Sequence, residues 1–231
     1  MQKNLNLVKR QIINGNPAKA LQILNEIISE DANNFEAYLY RGKIRRELND
    51  YHGALEDYNA ASELDSERAE VYNNRSKLFY YMCYYEKALA DIRIASELLP
   101  DSPLIKFNKG IIESKLYQYN NALISFSNAI KLNPSFLHAY LKRGLLKEKI
   151  GDYNGAVNDY SLVIKINKIC AKAHFLRGKL FMSYLGDEKK GKRDLKSAYN
   201  LGYNKTEIQN IILNNNSKVL SPENNSAKKV S

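Results

Sequence analysis

Few side chains in this sequence can make or break bonds. Thiols are available at Cys83 and Cys170 and imidazoles at His52, His138 and His174, the three histidines standing far apart. Two cysteines cannot build a disulfide framework or a four-thiolate zinc site. No Gly-rich phosphate loop, nucleophile elbow, HExxH or CxxC occurs. His52 falls in an inter-helix turn, and His138 and His174 fall near helix starts, where packing or surface roles suffice. Cys83 falls in a turn and Cys170 at a boundary between sequence units, as small structural residues. The expectation is a protein that is not an enzyme, with no metal and no cofactor. The chemistry on offer is non-covalent: amides, aromatic rings and a surplus of Lys and Arg.

One such pairing is legible in the chain itself. Arg41, Arg75, Arg143 and Arg177 recur at one position, and Asp57, Asp91, Asp159 and Asp194 recur at another. Where Lys109 replaces the Arg, Ser125 replaces the acid, so the two positions change together. This predicts a planar, bidentate ion pair between the two helices of each of these four units.

The elements that hold these groups repeat. Ala20, Ala54, Ala88, Ala122 and Ala156 stand 34 residues apart without a gap. Parallel columns run Ala61, Ala95, Ala129, Val163; Gly42, Ser76, Gly110, Gly144, Gly178; and Tyr51, Tyr85, Tyr119, Tyr153. After Ile166 the register slips by one, and Gly191, Leu195 and Ala198 take the later columns. Within DYHGALEDYNAASEL, Tyr51, Ala54, Leu55, Tyr58, Ala61 and Ser62 form one face of a 3.6-period helix, and nothing alternates with period two. Each unit therefore reads as two helices. The small columns mark close helix approach, and the Tyr column reads as buried.

The pattern resembles the tetratricopeptide repeat (TPR), most clearly in YLYRGKIRRELNDYHGALEDYNAASELD and AYLKRGLLKEKIGDYNGAVNDYSLVIKIN. Departures are Val8 in the small column of the first unit and Lys106 in place of the opening aromatic of Tyr38, Tyr72 and Tyr140. The resemblance implies an all-α α-solenoid, a right-handed superhelix of helix-turn-helix units over 1–34, 35–68, 69–102, 103–136, 137–170 and 171–202. A capping helix is expected over 203–213 and a disordered tail over 214–231, which is rich in Asn, Ser and Lys.

Family likeness also implies a concave groove lined by first helices. The columns pointing there give Tyr40, Asn74, Lys77, Tyr81, Phe107, Asn108, Ile111, Lys142, Leu145, Phe175 and Lys179, with Lys43, Arg46, Asn73, Tyr80, Lys115, Leu141 and Lys149 beside them. Asn amides can hold a ligand backbone. Phe107 and Tyr81 would take an apolar side chain, and Lys77 and Lys142 would meet acidic groups. TPR domains that clamp the terminal carboxylate of chaperones need a Lys/Asn pattern that only Asn74 matches here, so that clamp is not expected.

Charge is uneven along the chain. Residues 1–102 hold 13 basic and 16 acidic residues, and residues 103–231 hold 22 and 9. The densest run is Lys189, Lys190, Lys192 and Arg193. The primary expectation is a non-catalytic scaffold for a protein or peptide partner, acidic in character. The alternative is a nucleic-acid-binding helical-repeat protein using the basic half. No apolar run reaches the ~20 residues of a membrane span. The opening segment, interrupted by Asn4, Asn6, Lys9 and Arg10, reads as an amphipathic helix rather than a secretory signal, and the unpaired thiols suit a cytoplasmic location.

Overall fold

A computed structural model describes residues 2–219, with side chains over 5–213. The described residues form thirteen α-helices and no strand. They group into two compact units, residues 1–132 and 133–231. The first unit holds α1 (Gln2–Ile13), α2 (Pro17–Glu30), α3 (Phe35–Glu47), α4 (Tyr51–Leu64), α5 (Ala69–Tyr81), α6 (Tyr85–Leu98), α7 (Pro103–Lys115) and α8 (Tyr119–Leu132). The second holds α9 (Leu137–Lys149), α10 (Tyr153–Ile166), α11 (Ala171–Ser183), α12 (Glu188–Asn200) and α13 (Lys205–Val219). Consecutive odd and even helices pair as hairpins, giving an all-α α-solenoid of six hairpins and one extra helix.

Turn chemistry sets the hairpin length. Three residues separate α3 from α4, α5 from α6, α7 from α8 and α9 from α10. The middle one has positive φ at Asn49 (64°), Cys83 (61°), Tyr117 (59°) and Gly151 (84°). The next helix is capped where an acid follows: Asp50 accepts from Gly53 N–H at 3.0 Å and Asp152 from Gly155 N–H at 2.9 Å. The register slip lies in the α11–α12 turn, where four residues replace three and Gly186 takes the positive φ (66°), and not directly after Ile166. His52, expected in a turn, is the second residue of α4.

The small-residue column is explained by the ring it faces. A Cβ at Gly42 would sit 2.8 Å from a Tyr58 ring carbon, one at Gly110 2.7 Å from Phe126, and one at Gly144 2.6 Å from Tyr160. Tyr58, Phe126 and Tyr160 are the largest fully buried side chains. Where the second helix offers the slimmer Ile92, the first helix tolerates Ser76. The aromatic core thus lies seven residues, about two turns, further along than expected. The Tyr51, Tyr85, Tyr119 and Tyr153 column is only half-buried, because it starts each second helix at the hairpin edge.

The bidentate pairs form as read. Arg41, Arg75, Arg143 and Arg177 each offer Nε and Nη2 to the carboxylate of Asp57, Asp91, Asp159 and Asp194, at 2.6–3.1 Å. Arg45 and Lys147 add a second cation at 3.0 Å to Asp57 and Asp159. Burial still outweighs the guanidiniums at Asp57 and holds its carboxyl above the usual range. In the fourth hairpin the polarity is reversed. Glu113, on the first helix at the position of Arg45 and Lys147, is buried. It accepts from Ser125 Oγ at 2.6 Å, with Lys109 at 3.8 Å.

The end of the second unit differs from expectation. Ile208 of α13 joins the core of Phe175, Leu176, Leu180 and Leu195, and Tyr203 packs against it from the turn before α13. This helix begins at Lys205 rather than 203 and continues to Val219, through residues 214–219 that were expected to be disordered. A nucleated helix propagates at small cost per residue even through Asn and Ser. The rest of the expected tail, 220–231, lies outside the described residues.

Candidate functional site

In the first unit, α3, α5 and α7 present their outward positions to one face. Clefts open on it, two of which share a wall. The smaller, of about 140 Å³, is lined by Lys77, Tyr80, Tyr81, Asn108, Ile111 and Ile112. The larger, of about 380 Å³, is lined by Lys43, Glu70, Asn73, Asn74 and Lys77, with Leu99, Ser102, Leu104 and Ile105 across from them. Lys77 belongs to both.

Helical spacing places these groups. Asn73, Asn74, Lys77, Tyr80 and Tyr81 fall at i, i+1, i+4, i+7 and i+8 of α5, and Asn108, Ile111 and Ile112 fall one turn apart on α7. The two helices are tied by Asn108 Nδ2, which donates to Asn73 Oδ1 at 2.8 Å. That bond uses part of Asn108, which is 9% exposed and was expected to be free for a ligand. Asn74, 7% exposed, makes no side-chain hydrogen bond among the described residues, so its side-chain amide remains available to the larger cleft.

Most cations of the face already have partners. Lys43 Nζ meets Glu70 at 2.6 Å and lies 4.8 Å above the Tyr40 ring. Arg46 pairs with Glu47 at 3.5 Å and covers the Tyr81 ring at 5.6 Å. Lys115 lies 5.9 Å from the Tyr80 centroid. The Lys77 ammonium has neither hydrogen bond nor ion pair among the described residues. Burial, then the charges of Arg46 and Lys43, pull its pKa below the usual lysine value, with Glu70 opposing.

The expected site residues therefore divide. Lys77, Tyr81, Asn108 and Ile111 share the smaller cleft, and Asn74 joins Lys77 in the larger. Tyr40 lies between Lys9 and Lys43 and lines neither. Phe107 also lines neither: its ring sits 5.8 Å from Phe126 in its own hairpin, so it is a half-buried packing residue and not an exposed anchor. Glu70, Leu99, Ser102, Leu104, Ile105 and Ile112 were not anticipated. Leu99 and Ser102 sit in the inter-hairpin turn beside Pro103, outside any column counted along first helices.

Lys142, Leu145, Phe175 and Lys179 belong to the second unit. Lys142 is exposed on α9, and Leu145 packs on the core. Phe175 is 6% exposed and stacked 4.2 Å from Tyr203, so it is not open to a ligand. Lys179 forms an ion pair with Glu148. In the basic run, Lys190 is held by Asp187 at 2.8 Å and Lys192 by Glu188 at 2.6 Å. His174 stands one turn after Cys170 on α11, but its ring faces the Lys168 carbonyl (Nε2, 3.2 Å) and Asp194 (Nδ1, 3.5 Å). Among the described residues no group of three His, Cys, Asp or Glu could hold a metal ion, and no helix is long and apolar enough to cross a membrane.

Comparison with known proteins bears on this architecture. A family model described as TPR repeat matches residues 42–82, and one described as tetratricopeptide repeat matches residues 137–170. No curated protein matches the sequence. Among solved structures, PilW, described as a widely conserved type IV pilus biogenesis factor, is similar with a TM-score of 0.80 at 19% identity, over 91% of this chain and 97% of that one. Pseudomonas aeruginosa pilF is similar at 0.79 and 21% identity, over 92% and 96%. YrrB, described as a TPR protein with an unusual peptide-binding site, is similar at 0.68 and 20% identity, over 82% and 97%. At these identities the likeness establishes the fold alone. With the gap-free 34-residue columns and the six hairpins, the matches identify the chain as a tetratricopeptide-repeat protein.

Proposed function

We propose that the protein is a non-catalytic scaffold that holds a peptide or helical segment of a partner protein against the α3, α5 and α7 face of its first unit. The observation that carries this is the pair of clefts meeting at Lys77, with neither the Asn74 side-chain amide nor the Lys77 ammonium partnered among the described residues. Free amides and apolar walls suit a polypeptide, whose backbone both donates and accepts and whose side chains need desolvated seats. The peptide-binding site named for YrrB, a protein of similar fold, supports the reading. The two free thiols fit a reducing cytoplasm, where we place the scaffold.

A peptide library displayed against the intact chain, followed by amide chemical-shift mapping of enriched peptides, tests the reading. Shifts should centre on Lys77, Tyr81 and Ile111. Perturbation confined to Lys189 and Arg193, displaced by single-stranded RNA and steeply salt-dependent, would instead establish the nucleic-acid alternative.

A further inference from the structure

Four observations on the α5–α7 face bear on the chemistry of the bound segment. Lys77 is a half-buried cation with no partner among the described residues, on the wall common to two clefts. A cation taken partly out of water without a counter-charge is costly, so the face is poised for an anion there. The smaller cleft continues on one side with Tyr80, Tyr81, Ile111 and Ile112. The larger continues on the other with Leu99, Leu104 and Ile105. Finally, Glu70 lines the larger cleft next to Lys43, which it already neutralises.

We infer that the ligand is an extended segment carrying one internal Asp or Glu, whose carboxylate pairs with Lys77, between two aliphatic residues that fill the two clefts. This rests on the groove reading above and specifies it. Side chains of an extended chain point to one face at every second residue, so the motif is aliphatic-x-acid-x-aliphatic.

The geometry separates this from other anions. A C-terminal carboxylate ends the chain and could reach only one of the two clefts that share Lys77. A phosphate brings nearly two charges and is met by clustered Arg forks, whereas the cation shared by these two clefts is one Lys, and Arg46, which lines neither, lies against Glu47 and the Tyr81 ring. A run of acids would set its second charge against Glu70.

The test uses the intact chain and synthetic peptides amidated at the C-terminus, read by fluorescence anisotropy. Four three-residue centres are compared between the two Leu of a Leu-x-Glu-x-Leu frame: x-Glu-x, x-Gln-x, x-phosphoserine-x and Glu-Glu-Glu. A fifth peptide ends at the Glu with a free carboxylate. The Glu peptide should bind about tenfold or more tighter than the Gln peptide, the scale of one charge-assisted hydrogen bond. It should also bind tighter than the other three. Lys77→Met should bind Glu and Gln peptides equally, and Lys77→Arg should restore the preference. The melting temperature of each variant, measured alongside, shows whether it is folded. Preference for the phosphorylated, tri-acidic or carboxyl-terminal peptide overturns the inference, as does Glu/Gln discrimination that survives in Lys77→Met. If peptides map to this face without charge preference, only the ligand assignment fails. If no peptide maps to it, the groove reading fails.

Discussion

First helices in the two units use equivalent columns for different ends. In the first unit, Lys77 and Asn74 of α5 have no side-chain partner among the described residues, and clefts open around them. In the second, α9 and α11 spend the same columns internally: Lys179 on Glu148, Phe175 under Tyr203 and Leu145 against the core. Part of the reason is position. The second unit ends in α13, and covering an exposed end requires apolar residues from the last hairpin to turn towards the cap. A repeat code thus fixes which residues face which way. Whether a facing residue is free depends on the neighbour that reaches it.

The largest expected effect separates Phe175 from Phe107, which occupy comparable first-helix columns. Phe175→Ala removes a buried ring stacked on Tyr203 and should destabilise the second unit by about 3–5 kcal/mol. Phe107→Ala removes a half-buried ring leaning on Phe126 and should cost roughly half that. Urea titrations of both variants read the difference, and equal midpoints would erase the distinction between capped and open faces.

Next in size are the intra-hairpin polar contacts. Asp159→Asn leaves Arg143 and Lys147 facing an amide, and breaking such a pair costs about 3 kcal/mol. In the fourth hairpin the acid sits on the other helix, so Ser125→Ala removes one hydrogen bond to Glu113 and should cost nearer ~1 kcal/mol. The reverse ranking in thermal melts would mean that Glu113, not the Arg–Asp pair, is the stronger tie. Smaller and alike in both units should be Ala122→Leu and Ala156→Leu. Both alanines are fully buried, and overpacking typically costs ~1–3 kcal/mol. Melting temperatures that differ widely between these two would show that the hairpins are not equivalent frames.

Much of the fold was legible because it is local. The Ala and Gly columns, the Arg–Asp pairs and the turn positions each depend on residues within one 34-residue unit, so a single unit read against its neighbours exposes them. The site was legible only in part. Lys77, Tyr81, Asn108 and Ile111 follow from helical phase, as does Asn74. That Phe107 would lean on Phe126, that Asn108 would bond Asn73, or that Tyr203 would cover Phe175 depends on reach across helices, which a column does not encode. Leu99 and Ser102 escaped because turn residues have no helical phase to count.

The smallest effect is also the most specific to the open face. Burial and the nearby charges of Arg46 and Lys43 hold the Lys77 pKa below its ordinary 10.5. Between the folded-state pKa and 10.5 the unfolded chain keeps a proton that the folded chain has released. Stability rises with pH wherever the unfolded state binds more protons. The penalty of the buried charge is therefore complete below the folded pKa and is relieved as pH climbs towards 10.5. Relative to Lys77→Met, which has no such proton, the intact protein should gain stability across that alkaline window. A saturating Glu-containing peptide should reverse the trend, because its carboxylate favours the protonated amine and affinity is lost as that proton leaves. Urea midpoints of the two proteins at stepped alkaline pH, with and without peptide, read both slopes. Parallel curves for the intact protein and Lys77→Met would show that Lys77 is paired in solution, and the open face would then be no different from that of the second unit.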